Sequence, residues 1–104
     1  MSENRPNILF IPIDDLRPQL ACYGREQMIT PHIDGLAASG VLFSQAYCQV
    51  PVCGATRASL LTGARPRRDR FVTFATWADR DLPGALTLPE HFRQLGYLTL
   101  SDGK

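Results

Sequence analysis

The chain has 104 residues with a formal net charge of +1 at pH 7, and 44% of its residues are hydrophobic. This length suits one small domain, and the composition is that of an ordinary globular protein. The net charge is close to zero, whereas nucleic-acid-binding proteins usually carry an excess of basic residues. No apolar run reaches the roughly 20 residues of a membrane-spanning helix. We therefore expect neither nucleic acid nor membrane among the partners of this chain.

The N-terminal seven residues are polar and lack the apolar core of a secretory signal. As written, the chain is therefore expected to be cytoplasmic, or periplasmic or secreted if a leader was removed. The three cysteines, Cys22, Cys48 and Cys53, do not have the spacing of a zinc site, and a disulfide framework is not expected without secretion. We interpret Cys22 and Cys48 as small buried residues.

A continuous apolar run over residues 8–13 predicts the first strand, of the kind that is buried on both faces of a parallel sheet. Pro12 lacks an N–H group and should lie at a locally unpaired position. The run ends in Asp14 and Asp15, at the carboxyl end of the strand, where open α/β sheets place their ligand sites. Two adjacent carboxylates suit a hard divalent cation, Ca²⁺ or Mg²⁺, although by themselves they also suit a solvated turn.

A short helix is predicted next, with Thr30 as its N-cap, Pro31 in its first turn and Gly40 as its end. Residues 41–47 then predict a second strand. A further helix begins at Cys53 and stops at Gly63, since glycine is a common C-terminal stop.

The hydrophobic residues of segment 65–82 show no regular period. This predicts a long surface excursion, that is, an irregular segment on the surface of the protein. Its arginine-rich part, residues 65–70, is interpreted as a solvated loop, with the steering of anionic glycans as the alternative. For Phe74 and Trp77 we expect a role as core anchors, with a sugar subsite as the alternative.

The last elements are a helix with a capping box formed by Thr87 and Glu90, ending at Gly96, and a third strand over residues 97–100. Strands alternating with helices predict an α/β fold with a parallel sheet. Three strands with one helix between each pair cannot shield both faces of such a sheet, so we expect the N-terminal part of a longer protein.

The most informative segment is the start of the second predicted helix. Cys53 lies at a helix N-terminus, where free N–H groups and the helix dipole favour negative charge. Arg57 follows four residues later and so shares a helix face with Cys53. This arrangement suits a reactive centre that handles an anionic ester.

The segment Cys53-Gly54-Ala55-Thr56-Arg57, followed by Leu61-Thr62-Gly63, resembles the sulfatase signature Cys-x-Pro/Ala-x-Arg with its Leu-Thr-Gly helix. Further blocks that resemble this family occur in the same order along the chain, at residues 7–18, 22–24, 30–37 and 96–104. The Asp-Asp-Leu-Arg-Pro segment and the Cys-Tyr-Gly that follows it look most like the iduronate-2-sulfatase branch.

The resemblance implies an alkaline phosphatase-like α/β fold, in which helices sandwich a parallel or mixed sheet. Residues 1–104 would be the N-terminal segment of the catalytic domain, with the sheet incomplete. Asp14, Asp15 and Cys53 would be ligands of Ca²⁺ or Mg²⁺. A formylglycine-generating enzyme would convert Cys53 to formylglycine, whose hydrate is the nucleophile. Arg57 would hold that hydrate, and Lys104 would contact the sulfate.

The implied activity is hydrolysis of the sulfate monoester of a sulfated small molecule or glycan. Residues 1–104 alone are expected to be inactive, because the family's remaining metal ligands and histidines lie beyond them. Two alternatives stay open: a phosphonate or phosphate monoester hydrolase on the same scaffold, and a catalytically silent fragment.

Overall fold

The computed structural model describes residues 5–103. In that part of the chain a 3-10 turn at Ala21–Tyr23 precedes four α-helices. These are α1 (Pro31–Ser39), α2 (Cys53–Thr62), α3 (Ala78–Asp81) and α4 (Leu88–Gln94). The chain divides into two compact units, one ending at Gln45 and the other starting at Ala46. Within the described range no helix is both long and apolar enough to cross a membrane.

The prediction of three paired strands is wrong for this structure. Residues 8–13, 41–47 and 97–100 are irregular, and the β pairing described is one isolated antiparallel bridge between Arg67 and Arg70. Leu9 and Leu98 remain 85% and 84% exposed. An apolar run shows that both faces of a segment suit burial, but a strand forms only where a second strand accepts its hydrogen bonds. Of the predicted α/β architecture, residues 5–103 therefore contain the helices without the sheet.

In the first unit, α1 begins directly after Thr30 as predicted, but the threonine does not cap the helix through its side chain. Instead, the Thr30 hydroxyl donates to the Asp34 carboxylate at 3.1 Å and accepts from the Ala21 N–H at 3.3 Å. The same carboxylate accepts from the Cys22 N–H at 2.9 Å. These bonds join the start of α1 to the 3-10 turn.

The core of the second unit forms where α2 packs against Phe71. Phe71 and Ala55 are fully buried, and Ala58 is nearly so. Partly buried apolar residues surround them, namely Val50, Val52, Ala64, Ala78 and Leu82. The Phe71 N–H donates to the Asp81 carboxylate at 3.2 Å, which joins this residue to α3. The prediction of a surface excursion over residues 65–82 is thus wrong at Phe71, and the short helix α3 within it was not predicted. A single buried aromatic residue in a segment without hydrophobic periodicity gives no pattern from which its burial could be predicted.

The burial predictions are also wrong for Phe74, Trp77 and Cys48, and only partly right for Cys22. Phe74 and Trp77, expected as core anchors, are 77% and 70% exposed. Cys48 is exposed, and Cys22 is only half-buried. Residue type predicts average burial, whereas the packing of neighbouring segments decides it at each position.

The capping box of α4 is confirmed. The Glu90 N–H donates to the Thr87 hydroxyl at 3.4 Å, and the Thr87 N–H donates to the Glu90 carboxylate at 2.9 Å. The helix ends at Gln94, close to the predicted end at Gly96. Because the N–H and hydroxyl of Thr87 both donate to the carboxylate, they hold the pKa of Glu90 below its ordinary value of 4.5.

We expect this capping box to make the stability of the protein depend on pH in the acidic range. A carboxyl group whose pKa is lower in the folded state stabilises the fold above its unfolded pKa. That stabilisation is lost as the pH falls through the lower, folded pKa. Urea denaturation of the protein and its Glu90→Gln variant, at pH values between about 3 and 6, measures this effect. The variant should lose part of the parent's pH dependence, and identical profiles would contradict the prediction.

Candidate active site

Cys53 is the first residue of α2, and Val52 before it has extended backbone angles (φ −137°, ψ 126°). The thiol is free of disulfides and half-buried. The first turn of a helix leaves N–H groups without intrahelical partners, and these groups together with the helix dipole favour a negative charge. The helix stops at Gly63, whose φ of 67° is left-handed, so both predicted ends are confirmed.

Gly54 is required by a close backbone contact beside Cys53. A Cβ at this position would lie 2.8 Å from the carbonyl carbon of Phe74 and 3.1 Å from the carbonyl oxygen of Thr73. The first distance is shorter than Cβ atoms show in proteins and the second is tighter than most, and the neighbouring atoms belong to backbone that cannot rotate away. This contact could not be predicted from the sequence, because spacing along the chain does not show which distant segment approaches a glycine.

Small residues along α2 allow the helix to pack tightly. Ala55 is completely buried and Ala58 is 5% exposed. The Thr56 hydroxyl donates to the carbonyl of Val50, and the Ser59 hydroxyl donates to the carbonyl of Ala64 at 2.8 Å. Side-chain bonds thus fix the segments before and after α2, and they hold Cys53 in a defined position.

Arg57 lies on α2 one turn after Cys53, and it is half-buried. The structure therefore places these two predicted site residues on one face of one helix, as their spacing predicts. Lys104, the third predicted catalytic residue, lies outside the described residues.

Asp14 and Asp15 form an exposed turn in the first unit. Asp15 has a φ of 55°, a left-handed conformation that aspartate tolerates better than most residues. Carboxylates are the donor type that Ca²⁺ and Mg²⁺ prefer, so these two residues fit a cation in their chemistry. Within residues 5–103, however, no group of three or more His, Cys, Asp or Glu side chains is placed to hold a metal ion. Asp14 and Asp15 alone do not make a complete site.

We predict that Gly54→Ala destabilises the protein by about 1–3 kcal/mol, since the new methyl group overlaps the backbone of residues 73–74. Gly35→Ala is the matched control. Gly35 lies on α1, and a Cβ there would meet nothing within 4 Å. The control should be neutral or stabilising by up to about 1 kcal/mol, because alanine favours helices over glycine. Urea denaturation of both variants provides the measurement, and equal effects of the two substitutions would refute the close contact.

Comparison with known proteins places these residues in a family. The sequence model of the family described as Sulfatase matches residues 6–104. Over 98 residues the chain is 44% identical to iduronate 2-sulfatase of Mus musculus, an alignment that covers 94% of this chain and 18% of that protein. It is 36% identical over 110 residues to N-acetylgalactosamine-6-sulfatase of Homo sapiens, covering 95% of this chain and 21% of that protein. The chain thus spans about a fifth of the length of these relatives. No solved structure matches it.

Proposed function

Because the chain belongs to the sulfatase family, we propose that the whole protein hydrolyses sulfate monoesters and that Cys53, matured to formylglycine, supplies the nucleophile. The observation that carries this proposal is the position of Cys53 at the first residue of α2, with Arg57 one turn later. A half-buried thiol outside any disulfide is available for conversion. A formylglycine-generating enzyme is the partner that the conversion requires.

The proposed chemistry uses the two hydroxyls of the hydrated aldehyde at position 53. One hydroxyl oxygen forms a bond to sulfur while the bond from sulfur to the alcohol oxygen breaks, and the alcohol leaves with a proton. The second hydroxyl then gives up its proton and the aldehyde reforms, which expels the sulfate. A serine at this position could take the first step but has no second hydroxyl on the same carbon for the last one.

Arg57 is proposed to hold the hydrate, since a guanidinium donates hydrogen bonds in a fixed planar geometry and keeps its charge at all relevant pH values. Lys104 is proposed to contact the sulfate of the substrate. Positive groups aimed at the transferring group stabilise the charge that develops on it, which is usually a large contribution to catalysis.

Asp14 and Asp15, together with residue 53, are proposed as ligands of Ca²⁺ or Mg²⁺, because the two carboxylates have the right donor chemistry. When bound, such a cation polarises the sulfate and lowers the proton affinity of the attacking hydroxyl. Calcium takes about 6–8 oxygen ligands, so the site needs ligands beyond these three residues.

The proposed substrates are sulfated sugars. The relatives reported above are named for sulfated iduronate and sulfated N-acetylgalactosamine, and both are pyranose sugars. A phosphonate or phosphate monoester hydrolase is the second candidate, since a helix N-terminus accepts phosphoryl as readily as sulfuryl oxygens. Parallel assays of one alcohol esterified with sulfate, phosphate and phosphonate separate the two activities.

Cys53→Ala in the whole protein should reduce sulfate ester hydrolysis by at least about a thousandfold, because it removes the nucleophile. The fold should survive, since alanine is well tolerated at the start of a helix. Cys53→Ser should complete at most one turnover and leave a sulfated serine, which mass analysis of the peptide detects. Mass analysis of the parent peptide should show the aldehyde. Retained turnover in purified Cys53→Ala, or an unmodified thiol in active parent protein, would remove Cys53 from this role.

Asp14→Asn combined with Asp15→Asn should weaken Ca²⁺ or Mg²⁺ binding by at least about 100-fold in calorimetric titration. The metal-free double variant should be as stable as the parent or more stable, because neutralising adjacent carboxylates removes their repulsion. Asp69→Asn combined with Asp79→Asn is the matched control, since both residues are exposed and the net charge changes equally. Equal metal affinity in the two double variants would overturn the assignment.

A further inference from the structure

The loop of residues 73–77 borders the start of α2. The backbone of Thr73 and Phe74 approaches Gly54 so closely that a Cβ there would lie 2.8 Å from the Phe74 carbonyl carbon. Gly54 directly follows Cys53 in α2. The backbone of the loop therefore contacts the residue that directly follows the proposed nucleophile.

The backbone of this loop is held by several hydrogen bonds. The Thr73 N–H donates to the Thr76 hydroxyl, and the Thr76 N–H donates to the Thr73 carbonyl, both at 3.3 Å. The guanidinium of Arg80 donates to the carbonyl of Ala75 at 2.8 Å and pairs with the Asp81 carboxylate at 3.1 Å. The loop thus has a defined conformation relative to α3.

Two aromatic side chains of this loop nevertheless face solvent. Phe74 is 77% exposed and Trp77 is 70% exposed, whereas Phe71, just before the loop, is completely buried. Many large apolar side chains of the described residues are exposed, so exposure alone does not mark a binding surface. Phe74 and Trp77 are distinguished by their place on a loop whose backbone contacts the residue directly after Cys53. A fixed loop that exposes two such residues beside a reactive position suits contact with a substrate.

We propose that Phe74 and Trp77 form an aromatic platform on which the pyranose ring of a sulfated sugar stacks while its ester lies at Cys53. The inference rests on the proposed function and deepens it, because it names residues that recognise the sugar. The C–H face of a pyranose is apolar and weakly positive, which suits the negative face of an aromatic ring. Residues 65–70, just before the loop, contain four arginines and one aspartate, and this excess of positive charge suits an anionic sugar.

The test measures sugar binding in the whole protein carrying Cys53→Ala, so that no turnover interferes. Calorimetry gives the Kd of the methyl glycosides of iduronate 2-sulfate and N-acetylgalactosamine 6-sulfate, and of inorganic sulfate. Phe74→Leu and Trp77→Leu keep an apolar side chain but remove the aromatic face, and they should weaken binding of at least one sugar by roughly three- to tenfold. Phe74→Tyr and Trp77→Phe keep an aromatic face and should bind it within about twofold of the parent. Inorganic sulfate should bind all variants equally.

Three outcomes would overturn the aromatic platform. In the first, the leucine variants bind both sugars as the parent does, or the parent binds neither. In the second, sugar and inorganic sulfate weaken together. In the third, the leucine and aromatic variants lose binding alike and melt at lower temperature, which would mean that another part of the protein covers these side chains. Failure of the proposed function is seen separately, as Cys53→Ala protein that still hydrolyses sulfate esters.

Discussion

The second unit depends on the close approach of α2 to the segment of residues 71–74. This approach requires residues with little or no side chain on the packed face of the helix, and Gly54, Ala55 and Ala58 meet that requirement. Phe71 packs against these small residues and is the largest fully buried side chain among the described residues. The position of Cys53 follows from this packing, because the residue after it is the point of closest contact.

The two half-buried cysteines lie in different surroundings, which is consistent with different roles. Partial desolvation raises the pKa of the Cys22 thiol, and the negative charge of Asp34 raises it further. Through the bond from its N–H to Asp34, Cys22 belongs to the junction between the 3-10 turn and α1. Cys53 instead is the first residue of α2, one turn before Arg57.

Local signals in the sequence predicted α1, α2 and α4, whereas α3 was not predicted. These signals are the Thr87–Glu90 capping box, the glycine that ends α2 and the proline in the first turn of α1. Each acts within a few residues, so its effect can be predicted without tertiary information. The predicted strands did not form, because strand pairing depends on a partner segment that an apolar pattern does not identify. Membership of the sulfatase family implies an α/β sheet, and the apolar segments at residues 8–13 and 97–100 remain the ones suited to it.

The sequence by itself determined the family, the helix that begins at Cys53 and the shared face of Cys53 and Arg57, since all of these depend on residue identity and short spacing. The tertiary structure alone decided that Phe71 is the core residue, that Phe74 approaches Gly54 through its backbone, and that Phe74 and Trp77 are exposed. These features depend on contacts between segments about 15–20 residues apart, where the geometry of the intervening turns decides which side chains are buried. Phe71 is thus buried and Phe74 exposed, although both are phenylalanines of one short segment.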